Sequence, residues 1–171
     1  MDLKDSIRVI EGFPTEGISF KDVTSLLQDR VALKQTIDEL AALVDEPVDI
    51  IASPEARGFI FGTALAYQLN AGFVPIRKPG KLPGETVSFE YELEYGTDRI
   101  EIHKDAIKPG DKVVLVDDLL ATGGTLEACA KCVESLGGEV VKILVIINLK
   151  DLNGLEKLKD YDVRYLVEYD H

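Results

Sequence analysis

The sequence predicts an α/β protein with a doubly wound, mostly parallel sheet, an inserted antiparallel hairpin or lid, and a short N-terminal arm. Short apolar runs such as Val113–Val116 alternate with longer segments of helical periodicity, which is typical of parallel strands covered by helices on both faces. Val87–Leu93 and Arg99–His103 instead alternate polar and apolar residues, which indicates two antiparallel strands. Glycine and proline interrupt residues 11–27 so often that we expect an irregular arm there.

The first half of the chain supplies the arm and a βαβ unit. Residues 1–10 are predicted to form a short helix. Asp29 is suited to cap a helix that runs to about Val44, because apolar residues recur along it every three or four positions. The next predicted elements are a strand, a helix and a strand, at Val48–Ala52, Gly58–Leu69 and Phe73–Ile76.

The second half supplies the inserted hairpin and the remaining strands. Residues 78–84 contain prolines and glycines that exclude regular structure. Beyond the hairpin the predicted elements are the strand Val113–Val116, a helix, the strand Val140–Ile147, the short helix Leu152–Leu158 and the strand Val163–Val167. Because no linker or repeat is visible, we expect residues 1–171 to form one domain, with residues 1–28 as the arm and residues 78–103 as a flexible lid and hairpin.

Charge and hydropathy exclude several classes of function. The 171 residues carry a formal net charge of −12, which argues against a nucleic-acid partner and against binding to an anionic membrane. No apolar run is long enough to span a bilayer, and the N-terminus lacks a basic region followed by an apolar run. These features favour a cytoplasmic protein with no membrane partner.

One stretch of this acidic chain contains no acidic residue. It lies between Glu55 and Glu85 and includes four cations, Arg57, Arg77, Lys78 and Lys81. We interpret this stretch as the electropositive wall of an anion site. An apolar helix within the stretch would account for much of the gap without any ligand.

The two cysteines, Cys129 and Cys132, form a Cys-x-x-Cys motif inside a predicted helix. A redox motif is expected at a helix N-terminus, and a zinc site would need further ligands, which His103 and His171 do not supply at a suitable spacing. Leu126, Cys129 and Val133 share one helical stripe, so we predict that the cysteines are small core residues.

The most specific motif is Val113–Thr125, in which an apolar strand is followed by Asp117 and Asp118 and then by the small-residue turn Ala121–Thr125. A glycine turn that opens a helix directs backbone N–H groups and the helix dipole at a phosphate. The two carboxylates would repel a phosphate, so they are suited to ribose hydroxyls or a divalent cation instead. A Walker A loop is excluded because the lysine after the second glycine is missing.

This motif resembles the phosphoribosyl pyrophosphate (PRPP) signature of the type I phosphoribosyltransferases, and its spelling is similar to that of the adenine-specific members. The resemblance extends to nearly the whole chain through four further motifs in the family's order, at Phe13–Asp22, Ala56–Gly62, Arg77–Gly84 and Leu93–Gly96. It implies the type I phosphoribosyltransferase fold, with the arm as a hood over the purine. It also implies transfer of the phosphoribosyl group from PRPP to adenine, giving AMP and pyrophosphate, with Mg²⁺ as cofactor and a homodimer as the assembly.

The family's roles for the phosphate-binding residues carry over to matching positions. The resemblance assigns the 5′-phosphate to Ala121, Thr122, Gly123, Gly124 and Thr125, and pyrophosphate to Arg57, Arg77, Lys78 and Lys81. Mg²⁺ is expected to be held mainly by PRPP, with no metal ligand assigned to the protein itself.

The family's roles for the base and the reacting carbon carry over in the same way. The resemblance implies catalytic roles for three acids, Glu94, Asp117 and Asp118. Glu94 is the candidate acceptor of the purine proton, and Tyr95 accompanies it in the lid. Ser19, through nearby backbone groups, and Arg57 are expected to contact adenine.

Two departures from the family pattern leave contacts open, because Glu16 replaces an expected proline in the hood and Ala56 replaces an expected serine. Base identity depends on backbone donors and acceptors, so an enzyme for a 6-oxopurine such as hypoxanthine or xanthine remains the alternative. A non-catalytic PRPP-binding regulator is a second alternative, although the residues before the hood are too few for a DNA-binding module.

Overall fold

The computed structural model describes residues 1–93 and 96–170. The strands are β1 (Arg8–Glu11), β2 (Ser19–Asp22), β3 (Ile50–Pro54), β4 (Gly72–Ile76), β5 (Thr86–Leu93), β6 (Gly96–His103), β7 (Lys112–Leu120), β8 (Glu139–Leu149) and β9 (Val163–Tyr169). The α-helices are α1 (Thr24–Gln28), α2 (Arg30–Ala42), α3 (Arg57–Leu69), α4 (Gly124–Ser135) and α5 (Gly154–Lys157), and 3₁₀ turns occupy Leu3–Ser6 and Lys150–Leu152.

The central sheet has five parallel strands in the order β4-β3-β7-β8-β9. The chain runs from β3 outward to β4 and then returns to the other side of β3 with β7, so the winding direction reverses between β3 and β7. Helices α2 and α3 cover one face of the sheet, and α4 with the β5–β6 hairpin covers the other. The predicted doubly wound α/β fold with an inserted antiparallel hairpin is therefore confirmed.

Alternation along β7 explains the two-sided core. Val114 and Val116 pack in the cluster that includes α2 and α3, whereas Val113 and Leu115 pack in the cluster that includes α4. All four side chains are fully buried. A strand with helices on both faces must be apolar at every position, which is why this segment lacks a polar alternation.

Helix α4 places both cysteines in the core, as the sequence predicts. Cys129 and Cys132 are free thiols and fully buried. Burial raises the pKa of both thiols, that of Cys132 to about 12. Thiols that stay protonated at neutral pH are poor nucleophiles and poor metal ligands, so the motif serves packing.

The inserted hairpin is joined directly to the edge of the central sheet. Strands β5 and β6 pair antiparallel over their whole described length. Arg77, just after β4, exchanges two backbone hydrogen bonds with Glu101 of β6, at 2.9 and 2.7 Å. This bridge holds the segment that carries Arg77 and Lys78 against the hairpin.

The predictions for the first 28 residues were partly wrong. The arm is an antiparallel hairpin of β1 and β2 followed by the short helix α1, and residues 1–10 contain a 3₁₀ turn and a strand instead of one short helix. Gly12 and Gly17 have φ of +73° and +90°, so the glycines let the chain reverse between two strands. The Phe13 and Phe20 rings pack edge to face across that reversal, a contact that local sequence rules cannot reveal.

The cap of α2 agrees with its prediction. The Asp29 side chain accepts hydrogen bonds from the amides of Val31 and Ala32 at 2.9 and 3.2 Å. Among the described residues, no helix has the length and apolar character needed to cross a membrane.

Helix α3 lies so close to the sheet that Gly62 has no room for a side chain. A Cβ there would meet the Ser53 hydroxyl and would stand 2.7 Å from the Phe73 ring. We expect Gly62→Ala to lower the free energy of unfolding by about 1–3 kcal/mol through overpacking, which thermal or denaturant melts will measure. Lys131→Ala, at an exposed position of α4, is the control, with an expected change within about 0.5 kcal/mol. Equal stability of Gly62→Ala and the parent would contradict the close packing.

Candidate active site

A cavity of about 330 Å³ opens at the carboxyl edge of the sheet, where the winding direction reverses. Ligands of doubly wound sheets bind in this crevice, because the loops on either side diverge there. The lining comes from the loop after β3, the segment after β4, the end of β7, the turn into α4 and one residue of the hairpin. These residues are Glu55–Arg57, Lys78, Tyr91 and Asp117–Leu126.

The acidic pair lies inside β7, whereas the sequence pattern predicted that the strand ends before it. Pairing between β3 and β7 ends at Ala52 and Leu115. Pairing between β7 and β8 continues from Asp117 opposite Val145 to the end of β7. One edge of β7 therefore stays in the sheet while the other is free, and the acidic pair borders the gap that β3 leaves.

Asp118 forms an ion pair with the first residue of α3. Its Oδ2 accepts a hydrogen bond from Arg57 Nε at 2.5 Å, and Asp118 is only 6 % exposed. This hydrogen bond and the charge of Asp118 raise the pKa of Arg57. The pair spans 61 residues of sequence and ties α3 to β7 across the floor of the cavity.

The Asp117 side chain lies between Gly58 of α3 and the backbone amide of Asp118. Its Oδ1 accepts the Asp118 amide at 2.8 Å, and a Cβ at Gly58 would stand 2.9 Å from the same oxygen. Burial and the Asp118 carboxylate raise the pKa of Asp117 well above its ordinary value. The surroundings of Asp117 therefore disfavour its charged form.

The small-residue turn leads directly into α4, as predicted. Gly123 precedes the helix with φ +91° and ψ −3°, a left-handed conformation that favours glycine. The first helical residues, Gly124, Thr125 and Leu126, line the cavity, so the N-terminal end of a twelve-residue helix opens onto it. Such an end attracts anions through its free amides and its dipole.

The predicted electropositive wall is neutralised by carboxylates from elsewhere in the chain. Glu55 accepts hydrogen bonds from Arg77 Nε at 3.1 Å and from Lys81 Nζ at 2.7 Å. Lys78 Nζ donates to Tyr91 Oη at 2.7 Å and forms an ion pair with Asp98. The cations are thus grouped as predicted, but the wall as a whole is not strongly positive.

Sequence reasoning missed three residues of this arrangement, Glu55, Tyr91 and Asp98. Glu55 entered only as the boundary of the acid-free stretch. Tyr91 and Asp98 face each other across the hairpin in register, so a correct register would have placed them together. Nothing local connects that pair to Lys78, which lies on another segment.

The structure brings most of the predicted site residues together. Those lining the cavity are Arg57, Lys78, Asp117, Asp118, Ala121, Thr122, Gly123, Gly124 and Thr125. Arg77 and Lys81 do not line it but reach its edge through Glu55. Ser19 lies in β2, where its hydroxyl donates to Glu11 at 3.0 Å and accepts from Lys21 at 2.9 Å, and it does not line the cavity. The predictions for Glu94 and Tyr95 fall outside the described residues.

Comparison with known proteins finds phosphoribosyltransferases. The family described as "Phosphoribosyl transferase domain" matches residues 23–170. The adenine phosphoribosyltransferase of Clostridium tetani is 62% identical over 171 residues, which cover 99% of each chain.

Solved structures agree with the sequence comparison. The adenine phosphoribosyltransferase of Thermoanaerobacter pseudethanolicus superimposes with a TM-score of 0.94 at 57% identity, covering 98% of both chains. That of Saccharomyces cerevisiae, solved with adenine and an imino-altritol bisphosphate, superimposes with a TM-score of 0.89 at 39% identity, covering 96% of both chains.

The raised pKa of Asp117 leads to a prediction about stability. Because the folded-state pKa lies above the unfolded value, the free energy of unfolding falls as the pH rises through the interval between the two values. Asn imitates the protonated side chain, so Asp117→Asn is expected to melt at a higher temperature than the parent. The difference is expected to increase with pH above the ordinary Asp value, in melts recorded between about pH 4 and about pH 8.

Asp160→Asn, at an exposed position, is the control and is expected to follow the parent at every pH. Equal melting temperatures of Asp117→Asn and the parent across this range would show that ionisation of Asp117 does not destabilise the folded state.

Proposed function

The chain belongs to the phosphoribosyltransferase family, and we propose that it transfers the 5-phosphoribosyl group of PRPP to adenine, giving AMP and pyrophosphate in purine salvage. One observation carries this proposal: a glycine turn at a helix N-terminus and a pair of carboxylates share one cavity at the reversal of the sheet. Full-length relatives that are adenine phosphoribosyltransferases support adenine as the base.

The turn from Ala121 to Thr125 is the part of the cavity suited to the 5′-phosphate. Its hydroxyls and amides are uncharged donors, and the first turn of α4 adds the positive end of the helix dipole. With the 5′-phosphate bound at this turn, the ribose would extend along the edge of β7 toward Asp117 and Asp118. The carboxylate oxygens of these two residues can accept hydrogen bonds from the ribose hydroxyls.

The cationic part of the cavity is suited to the pyrophosphate. Arg57 and Lys78 line it, and Arg77 and Lys81 stand at its edge. During transfer the bond from C1 of the ribose to pyrophosphate breaks and the bond from C1 to N9 of adenine forms. Fixed cations stabilise the negative charge that builds up on the departing pyrophosphate.

The roles of the hood and lid residues follow from the family. Ser19 with its backbone neighbours and Arg57 would contact adenine, Glu94 would accept the proton that leaves N9, and Tyr95 would accompany it. Arg57 is suited to meet both base and pyrophosphate, since it is the first residue of α3 and borders the acidic pair.

Mg²⁺ is the cofactor that the family implies, and the donors present fit an ion that arrives with the substrate. Among the described residues no group of three or more metal-ligating side chains occurs, whereas Asp117 and Asp118 offer the oxygen ligands that Mg²⁺ prefers. Bound through PRPP, the ion would neutralise part of the pyrophosphate charge.

A homodimer, which the family resemblance implies, and a cytoplasmic location, which charge and hydropathy favour, both stay predictions. The homodimer is supported by α3, which exposes Ile60 and Tyr67 seven residues apart on one face.

The base is tested by incubating the protein with PRPP, Mg²⁺ and either adenine, hypoxanthine, guanine or xanthine. We expect adenine to react at least about a hundredfold faster than any 6-oxopurine, because groups that match an exocyclic amine are left unpaired against a carbonyl. Comparable turnover of hypoxanthine would exclude adenine specificity and leave only the family assignment.

The phosphate turn is tested with Gly123→Val. At φ +91° a branched side chain is strained, and a Cβ would stand 3.2 Å from the Gly154 carbonyl and 3.3 Å from Lys157 Cβ. We expect the distorted turn to lose AMP binding in calorimetry, with a stability loss of about 1–3 kcal/mol.

Gly110→Val is the matched control, because Gly110 has φ +89° but lies before β7, at the opposite edge of the sheet. It should show a similar cost from the backbone conformation alone, since a Cβ there would have no atom within 4 Å, and unchanged AMP affinity. Parent-like AMP binding by Gly123→Val would mean that the turn does not hold the phosphate.

A further inference from the structure

Three donors from residues 77–81, the segment that follows β4, converge on one carboxylate, that of Glu55. Oε1 accepts hydrogen bonds from Arg77 Nε at 3.1 Å and from the Lys78 amide at 2.8 Å, and Oε2 accepts one from Lys81 Nζ at 2.7 Å. Burial raises the pKa of Glu55, but the hydrogen bonds from Lys81 and the Lys78 amide outweigh it, so the pKa is lowered. Glu55 is therefore an anion at neutral pH, and it lines the cavity.

This arrangement is the one in which a phosphoryl group would be held. An arginine, a lysine and a backbone amide that share one acceptor group are typical of phosphate recognition. A carboxylate and a phosphoryl group offer the same acceptor oxygens, so each satisfies these donors in the absence of the other.

We propose that Glu55 is a positioning residue that holds Arg77 and Lys81 until pyrophosphate takes them, and that it lowers the affinity for pyrophosphate in doing so. The proposal rests on the proposed function, in which these two cations bind the pyrophosphate of PRPP. Glu55 acts only through the cations and contacts no reacting atom.

Exposure indicates which partner moves. The Glu55 side chain is 14% exposed, whereas those of Arg77 and Lys81 are 34% and 47% exposed. The long cationic side chains can swing from a fixed carboxylate to a ligand at the cavity edge. Glu55 itself stays behind as a negative charge facing the bound diphosphate, which favours release of the product.

The consequence is a distinction between two classes of ligand. A diphosphate must compete with Glu55 for the two cations, whereas AMP, whose only phosphate belongs in the turn at Ala121–Thr125, need not. Glu55 is thus expected to change the affinity for pyrophosphate and leave that for AMP nearly unchanged.

The experiment is calorimetric titration of Glu55→Gln with inorganic pyrophosphate in the presence of Mg²⁺, and separately with AMP. Removing the competing charge is expected to tighten pyrophosphate binding roughly threefold to tenfold, the combined strength of two partly exposed ion pairs. AMP affinity should stay within about twofold of the parent, which also reports that the cavity is intact.

Two further variants separate charge from shape. Glu55→Asp keeps the charge and is expected to bind pyrophosphate like the parent. Glu85→Gln removes a charge from the same loop region, where the Glu85 side chain is 83% exposed and 3.7 Å from Lys104, and is likewise expected to match the parent.

The outcomes distinguish this proposal from the proposed function. A parent that binds neither pyrophosphate nor AMP would overturn both. If the parent binds both ligands, unchanged or weaker pyrophosphate binding in Glu55→Gln would overturn the role of Glu55 alone. Equal tightening in Glu55→Asp, or loss of AMP binding in Glu55→Gln, would also overturn it, because the effect would then not come from the charge.

Discussion

The parting of β3 from β7 at the carboxyl edge of the sheet creates the cavity and dictates what surrounds it. After Ala52 and Leu115 the two strands no longer pair, although β7 continues beside β8. The chain that leaves β3 turns into α3 across the gap, which brings Arg57 against Asp118. Only a residue without a side chain fits next in α3, where Gly58 adjoins Asp117. The ion pair and the glycine contact both lie beside that gap.

A chain of net charge −12 repels a polyanionic ligand, so it needs cations at its binding site. In the structure these cations form ion pairs with carboxylates. Each cation near the cavity has a carboxylate partner: Asp118 for Arg57, Asp98 for Lys78, and Glu55 for Arg77 and Lys81. Most of these side chains are partly exposed, so the pairs contribute little stability and are readily exchanged for a stronger ligand. Compensation of this kind keeps the cations in place without building an isolated positive cluster.

The cavity also holds features that favour function over stability. Asp117 is an acid whose surroundings disfavour its charged form, and Gly123 holds a conformation that costs other residues energy. Such features persist because the core around them is well packed, with Val114, Val116 and Cys129 fully buried beneath the site. The stability of the packed core thus offsets the cost of the Gly123 conformation and of burying Asp117 at the edge of the sheet.

The sequence by itself determined the elements whose signals are local. The run Val113–Val116, the cap at Asp29 and the glycine turn before α4 each depend on neighbouring residues, so their patterns predicted the strand, the start of α2 and the turn into α4. Local patterns failed where pairing decides the outcome. The arm became a hairpin through pairing of β1 with β2, and β7 extended past the acidic pair because β8 continued to pair with it.

Only the tertiary structure decided which charges meet. Arg57 and Asp118 lie 61 residues apart, and Lys78 meets Asp98 only because the hairpin docks beside β4. Composition showed that cations gather between Glu55 and Glu85, but it could not show that Glu55 would neutralise two of them. The reason is physical: a hydrogen bond depends on the distance and angle between its two groups, and these are set by the packing of whole elements.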